Sequence, residues 1–168
     1  SMLSPEKYVS RDNQASSMSM DGGSMLSPLD DDFLELFEDF ANDIKSESSV
    51  LTFGLNSPLT LSRIVNDGHS LSVISNEVPD ELIRLGANHK FGDPMFSKAE
   101  RRIDAAFSHD LIGNREVAEI LLKNVHAQLR PIGAVLIRIS GKISPENIIL
   151  KSGFFIEKRI NDSFYIKK

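Results

Sequence analysis

Cysteine is absent from the 168 residues. That excludes disulfides, thiolate nucleophiles, thiolate-bound metal and any disulfide-linked partner. No apolar run approaches the ~20 residues that a membrane-spanning helix needs. No basic-then-apolar secretory pattern opens the sequence. The four histidines, His69, His89, His109 and His126, form neither HExxH nor another short zinc pattern, so no metal site is expected. Together these absences point to a cytoplasmic or nuclear protein with no membrane contact.

What is present suits one ordinary folded domain with a tail: 40% of residues are hydrophobic and 26% charged, enough apolar surface for a real core. The net charge of −5 conceals an asymmetry. Residues 1–48 carry 3 basic and 11 acidic side chains (−8), whereas residues 49–168 carry 16 and 13 (+3). An acidic N-terminal part therefore precedes a mildly basic domain.

Residues 1–28 are rich in Ser, Met, Asp and Gly without apolar periodicity, and are expected to be disordered. Residues 29–48 read as an acidic amphipathic helix and linker. Asp30, Asp31 and Asp32 favour the positive end of the helix dipole. Phe33, Leu36, Phe37, Phe40 and Ile44 recur on one face.

From residue 49 to 168 strands and helices alternate. Short apolar strands are predicted at 50–54, 70–74, 103–107 and 134–139, with a brief one at 89–93. Pro58 opens a helix that ends at Asp67-Gly68. A short helix over 79–85 is closed by Gly86. Asn114 caps the clearest helix, with Val117, Leu121, Val125 and Leu129 on one stripe. Pro145 opens a further helix, and Asn161-Asp162 turns a terminal hairpin. Strands separated by helices imply right-handed crossovers and a mostly parallel α/β sheet, to which the hairpin adds an antiparallel strand.

This order resembles the Rossmann-like, doubly wound core of class I S-adenosylmethionine (SAM) dependent methyltransferases. The best local matches are late in the chain. Val117 to Pro131, followed by Ile132, Gly133 and the strand Ala134 to Ile137, is similar to that family's helix, its L-[RK]-P-G-G corner and the next strand, with Ile132 in place of the first glycine. Ser152-Gly153-Phe154-Phe155 resembles the Gly-Phe pair before the sixth strand. The direct run from the fifth strand through one short helix into a tight hairpin also resembles the methyltransferase-like N-terminal domain of anamorsin. In that family the domain lacks a complete SAM site and serves protein contacts. The cysteine clusters that family carries further along are not in this sequence.

The resemblance implies a set of cofactor positions. The family's first strand ends in acid-x-Gly-x-Gly-x-Gly, whose glycines let backbone N–H groups approach SAM closely. Here Gly54 matches the first glycine, Asn56 and Pro58 replace the other two, and Thr52 replaces the acid. Glu77 stands where an acid holds the ribose hydroxyls, and Asp93 where an acid lies near the adenine. Read without the resemblance, Glu77 is a solvated loop residue and Asp93 a turn former. After the fourth strand, where the family places substrate-facing groups, come Ser108, His109 and Asp110. His109 with Asp110 could serve as a general base if the chain is active; the plainer reading is a loop histidine and a capping aspartate.

Two functions follow. The first is a non-catalytic methyltransferase-like module, a pseudoenzyme, that binds a protein partner and holds no cofactor or holds SAM weakly. The acidic helix is either its docking element or a helix packed on its own sheet. The second is an active SAM-dependent methyltransferase with a divergent loop, using Gly54, Asn56, Glu77 and Asp93. A nucleic-acid partner has thinner support, because the basic residues of the C-terminal half are scattered and lack interleaved aromatics.

Overall fold

The structure, a computed structural model, describes residues 30–168 apart from Leu55 and Pro79; the expectation for residues 1–28 lies outside them. Helix α1 (Asp31–Asp43) starts where Asp30 caps it, its carboxylate accepting from the backbone N–H groups of Asp32 and Phe33 at 3.0 and 3.2 Å. There follow β1 (Ser49–Phe53), α2 (Pro58–Asn66), β2 (Ser70–Ser75), α3 (Asp80–Arg84), β3 (Asn88–Phe91), β4 (Ile103–Ile112), α4 (Arg115–Gln128), β5 (Leu129–Ile139), α5 (Pro145–Lys151), β6 (Phe155–Ile160) and β7 (Ser163–Lys167). The cap read from the sequence at Asn114 operates locally, and Ser57 adds one that the sequence reading did not name. Asn114 Oδ1 accepts from Val117 N, and Ser57 Oγ from Leu59 N next to the helix-opening Pro58.

One seven-stranded sheet runs β3-β2-β1-β4-β5-β7-β6. The pairs from β3 through β5 are parallel, whereas β7 is antiparallel to both β5 and β6. The order reverses between β1 and β4, consistent with the doubly wound resemblance, and the hairpin joins through β7. Such a reversal opens a crevice at the carboxyl ends of the two strands flanking it.

The core lies on both faces. On one, Phe33, Leu36, Phe37 and Phe40 of α1 pack with Leu61 and Ile64 of α2 against Val50, Phe107 and Tyr165. On the other, Leu121, Leu122 and Val125 of α4 and Ile148 and Ile149 of α5 cover Leu51, Val135 and Ile137. Burial on both faces explains the unbroken apolar run of β5.

β4 and β5 each exceed the length read from the sequence by five residues. β4 continues to Ile112, so Ser108, His109 and Asp110 lie inside it, not after it. The cause is tertiary: β5 extends alongside and pairs Arg138 with Leu111 and Ile139 with Ile112, after an irregular stretch beyond Phe107. At its start, β5 pairs Leu129 with Ile103, then Ala134 with Ala105, so Arg130 to Gly133 bulge outward. Within this bulge Ile132 adopts φ +59°. A Cβ on Gly133 would lie 2.7 Å from Leu129 Cδ2 and 2.9 Å from the Arg130 carbonyl oxygen, so this position requires glycine. Among the described residues no helix is long and apolar enough to cross a membrane.

Candidate functional site

The turn after β1 and the end of β4 lie side by side at the carboxyl end of the strands flanking the reversal. In the turn, Gly54 has φ +70°, a left-handed conformation that suits glycine. Asn56 and Ser57 are buried. Thr52 Oγ1 lies 3.0 Å from Asn56 Oδ1 and 2.9 Å from the Phe107 carbonyl oxygen, and Asn56 Nδ2 donates to the Gly54 carbonyl at 3.3 Å. The Asn56 amide thus bridges the strand end and the turn. The start of α2 is similarly committed. Pro58 has no N–H, and Leu59 N is bonded to Ser57 Oγ. Two of the donors that a helix start offers an anionic ligand are therefore absent or spent.

Glu77 and Asp93, the other positions singled out in the sequence, follow strands that end along the same sheet edge. Glu77 and Asn76 are exposed after β2, where the Ser75 hydroxyl donates to the Glu77 carbonyl oxygen and turns the loop back on its strand. Ser75 Oγ is also 2.8 Å from His89 Nε2. Asp93 follows β3 and organises a turn: Oδ1 accepts from Met95 N at 2.9 Å, and its carbonyl accepts from the N–H groups of Phe96 and Ser97. That geometry realises the turn-former reading of Asp93. The fold therefore gathers Gly54, Asn56, Glu77 and Asp93 at one edge.

His109 and Asp110 are both buried in β4. His109 is covered by the first turn of α1. Its Nε2 accepts from the Asp30 backbone N–H at 3.3 Å, and its ring meets Phe33 at 4.9 Å between centroids. Its carbonyl accepts from Arg138 Nη1 at 2.9 Å. Ser108 Oγ donates to the Phe53 carbonyl at 2.6 Å, tying the two strand ends together at the reversal. His109 is therefore engaged with the packing of α1, unlike the open loop histidine of the sequence reading. His69 accepts from Ser48 N through Nδ1 at 3.1 Å. His126 is half-buried against Phe154, and burial lowers its pKa, with Lys168 adding to the effect.

One concavity was not foreseen. At the opposite edge, where the parallel strands begin, a cavity of about 200 Å³ is lined by Asp43, Lys45, Asp104, Arg130, Ile132 and Lys167, among others. Asp104 Oδ2 accepts from Ser49 N at 2.8 Å, while Oδ1 is shared by Lys45 Nζ and Arg130 Nη1 at 3.6 and 3.7 Å. Tyr165 donates to Asp43 Oδ2 at 2.7 Å, and burial with that carboxylate raises its pKa. Ile132, in a glycine's place within a Pro-x-Gly corner, was the one sequence signal pointing here. Among the described residues, no group of three or more His, Asp or Glu gathers to hold a metal.

No protein-family model and no curated protein sequence matches this chain. Solved structures do match its fold. A ribosomal protein L11 methylase from Lactobacillus delbrueckii subsp. bulgaricus superposes with a TM-score of 0.62 at 13% identity, over 84% of this chain and 80% of its own. An rRNA methylase from Streptococcus thermophilus gives 0.57 at 10% identity, over 84% and 97%. A Thermus thermophilus 16S rRNA methyltransferase, in complex with AdoMet and guanosine, gives 0.62 at 16% identity, over 84% of this chain and 43% of its own. The fold is that of class I SAM-dependent methyltransferases. Identities this low carry the architecture and leave function to the site.

Proposed function

We propose that this chain is a non-catalytic methyltransferase-like module whose role is to bind a protein partner. The observation that carries the reading is the buried Asn56 amide, bonded to the Gly54 carbonyl and adjoining Thr52 where the family's loop keeps open backbone. SAM's methionine end would have to displace these bonds, and it would find no N–H at Pro58 and no acid at Thr52. Each lost hydrogen bond weakens binding by about 1 kcal/mol, and every 1.4 kcal/mol is about tenfold. Two or three such losses move a micromolar site toward millimolar. Burial of His109 beneath α1 gives further support, since a general base must reach its substrate.

The alternative, an active methyltransferase with a divergent loop, draws support from the positive φ of Gly54 and from the exposed Glu77 at the same edge. The AdoMet complex of the Thermus thermophilus neighbour shows that this fold can hold the cofactor in that protein. Calorimetric titration with SAM and S-adenosylhomocysteine decides between them. The module reading expects no binding tighter than roughly millimolar. A dissociation constant of about 1–10 μM, abolished by Glu77→Ala, would install the enzyme in its place.

A further inference from the structure

Ile132 combines two unfavourable features. It is β-branched with φ +59°, and it is 82% exposed, so its side chain gains little from its own chain. It sits on the rim of the cavity at the amino edge of the sheet. The charges around it are uneven. Lys45, Arg102, Arg130, Lys167 and Lys168 lie along this edge, against Asp43, Glu47 and Asp104. Asp43 already accepts from Tyr165, and one oxygen of Asp104 from Ser49. The remaining Asp104 oxygen faces two cations at distances beyond a hydrogen bond, and those side chains are 72% and 51% exposed at Lys45 and Arg130. Ammonium and guanidinium donors are thus left available beside an exposed apolar knob and a cavity with room for a side chain.

We infer that this edge is a docking surface for a short acidic peptide segment of a partner protein. An apolar side chain of that segment packs on Ile132 and enters the cavity, while its carboxylates pair with Lys45 and Arg130. An exposed isoleucine offers an apolar contact that the phosphates of a nucleic acid do not use. Asp43, Glu47 and Asp104 also oppose a continuous run of phosphates. The inference rests on the module reading and supplies its partner class, but it uses the sheet edge opposite the candidate cofactor crevice.

The test is NMR titration of the full 168-residue chain with three probes: a short peptide alternating glutamate and leucine, its lysine–leucine counterpart, and oligouridylate. The expected result is that the acidic peptide shifts the amides of Lys45, Gly133 and Lys167. Ile132→Gly and Arg130→Glu should each weaken it by about tenfold, as loss of an interface anchor does. Ile132→Gly should leave the melting temperature unchanged or raised, so weakened binding there cannot be unfolding. The proposal is overturned if the acidic peptide leaves these amides unmoved, if the basic peptide binds equally well, or if oligouridylate binds them more tightly. SAM titration of the same sample separates the two readings: SAM binding with peptide docking intact removes only the non-catalytic claim.

Discussion

The imidazole of His109 stands edge-on to the ring of Phe33, their planes 67° apart, and accepts the Asp30 backbone N–H beside it. One contact thus joins the start of α1 to β4 next to the strand reversal. The leading helix is consequently part of the domain's packing, with its acidic face turned outward. Lys158 pairs with Asp39 at 2.8 Å, and Asn161 donates to Asp32 at 2.7 Å, which fastens the terminal hairpin to the same helix.

Phe37 is the sharpest probe of that attachment. It is buried and packs edge-on against Phe107, 5.6 Å between centroids, and beside Phe40. Phe37→Ala is expected to lower stability by roughly 3–5 kcal/mol, the usual result of truncating a buried aromatic. Urea unfolding checks it; an unchanged midpoint would mean that α1 does not pack on its own sheet.

Ile132→Gly should act in the opposite direction. A left-handed backbone costs a residue with Cβ about 1–2 kcal/mol, and glycine returns about 0.5–1 kcal/mol of that through its freer unfolded chain. A net gain of up to about 1 kcal/mol is expected in chemical denaturation. Ile132→Asn, which tolerates the left-handed region, should gain less. A clear loss of stability in both variants would contradict the strained corner.

Asn56→Ala removes the amide that bridges Thr52 and the Gly54 carbonyl. A loss of about 1–2 kcal/mol is expected, because buried partners lose a bond. SAM binding should not appear in the variant, since Pro58 and Thr52 are unchanged. Calorimetry and denaturation on one preparation read both outcomes.

The two perturbed rings, half-buried His126 and buried Tyr165, set opposite pH limits. His126 has its pKa lowered in the fold, chiefly by burial, so below its unfolded value of about 6.5 the unfolded chain binds more protons. Stability should therefore fall as pH drops from 6.5 toward the lower folded value, and His126→Gln should flatten that slope. Tyr165 has its pKa raised, chiefly by burial, so above about 10 the unfolded chain loses its proton first. Stability should decline as pH rises past 10, and Tyr165→Phe should blunt the decline while losing the Asp43 hydrogen bond. Melting temperatures across both ranges test the signs.

The class of fold was legible because it rests on local chemistry. Asn114 and Pro58 start helices wherever they stand before an apolar stripe, and the two-residue turn at Asn161-Asp162 forms a hairpin from its own sequence. Alternation of such elements leaves few sheet orders, and the doubly wound resemblance is consistent with the reversal beside β1. The depleted loop was equally legible, as Thr52, Asn56 and Pro58 in places that favour an acid and glycines.

What those residues do instead was a matter of three-dimensional contacts. The Thr52 hydroxyl approaches Phe107, 55 residues away, only once β1 and β4 are paired. His109 became a packing residue because β4 extends beside β5 and because α1 folds over it, neither of which is a local property. The cavity at the amino edge brings Lys45, Asp104, Arg130 and Lys167 together from four separate segments, and no spacing along the chain encodes that meeting. Sequence alone determined the elements and their order, since caps, turns and periodicity act within a few residues. Tertiary structure decided which polar groups are spent inside the protein and which are left for a partner, because burial and hydrogen bonding depend on neighbours remote in sequence.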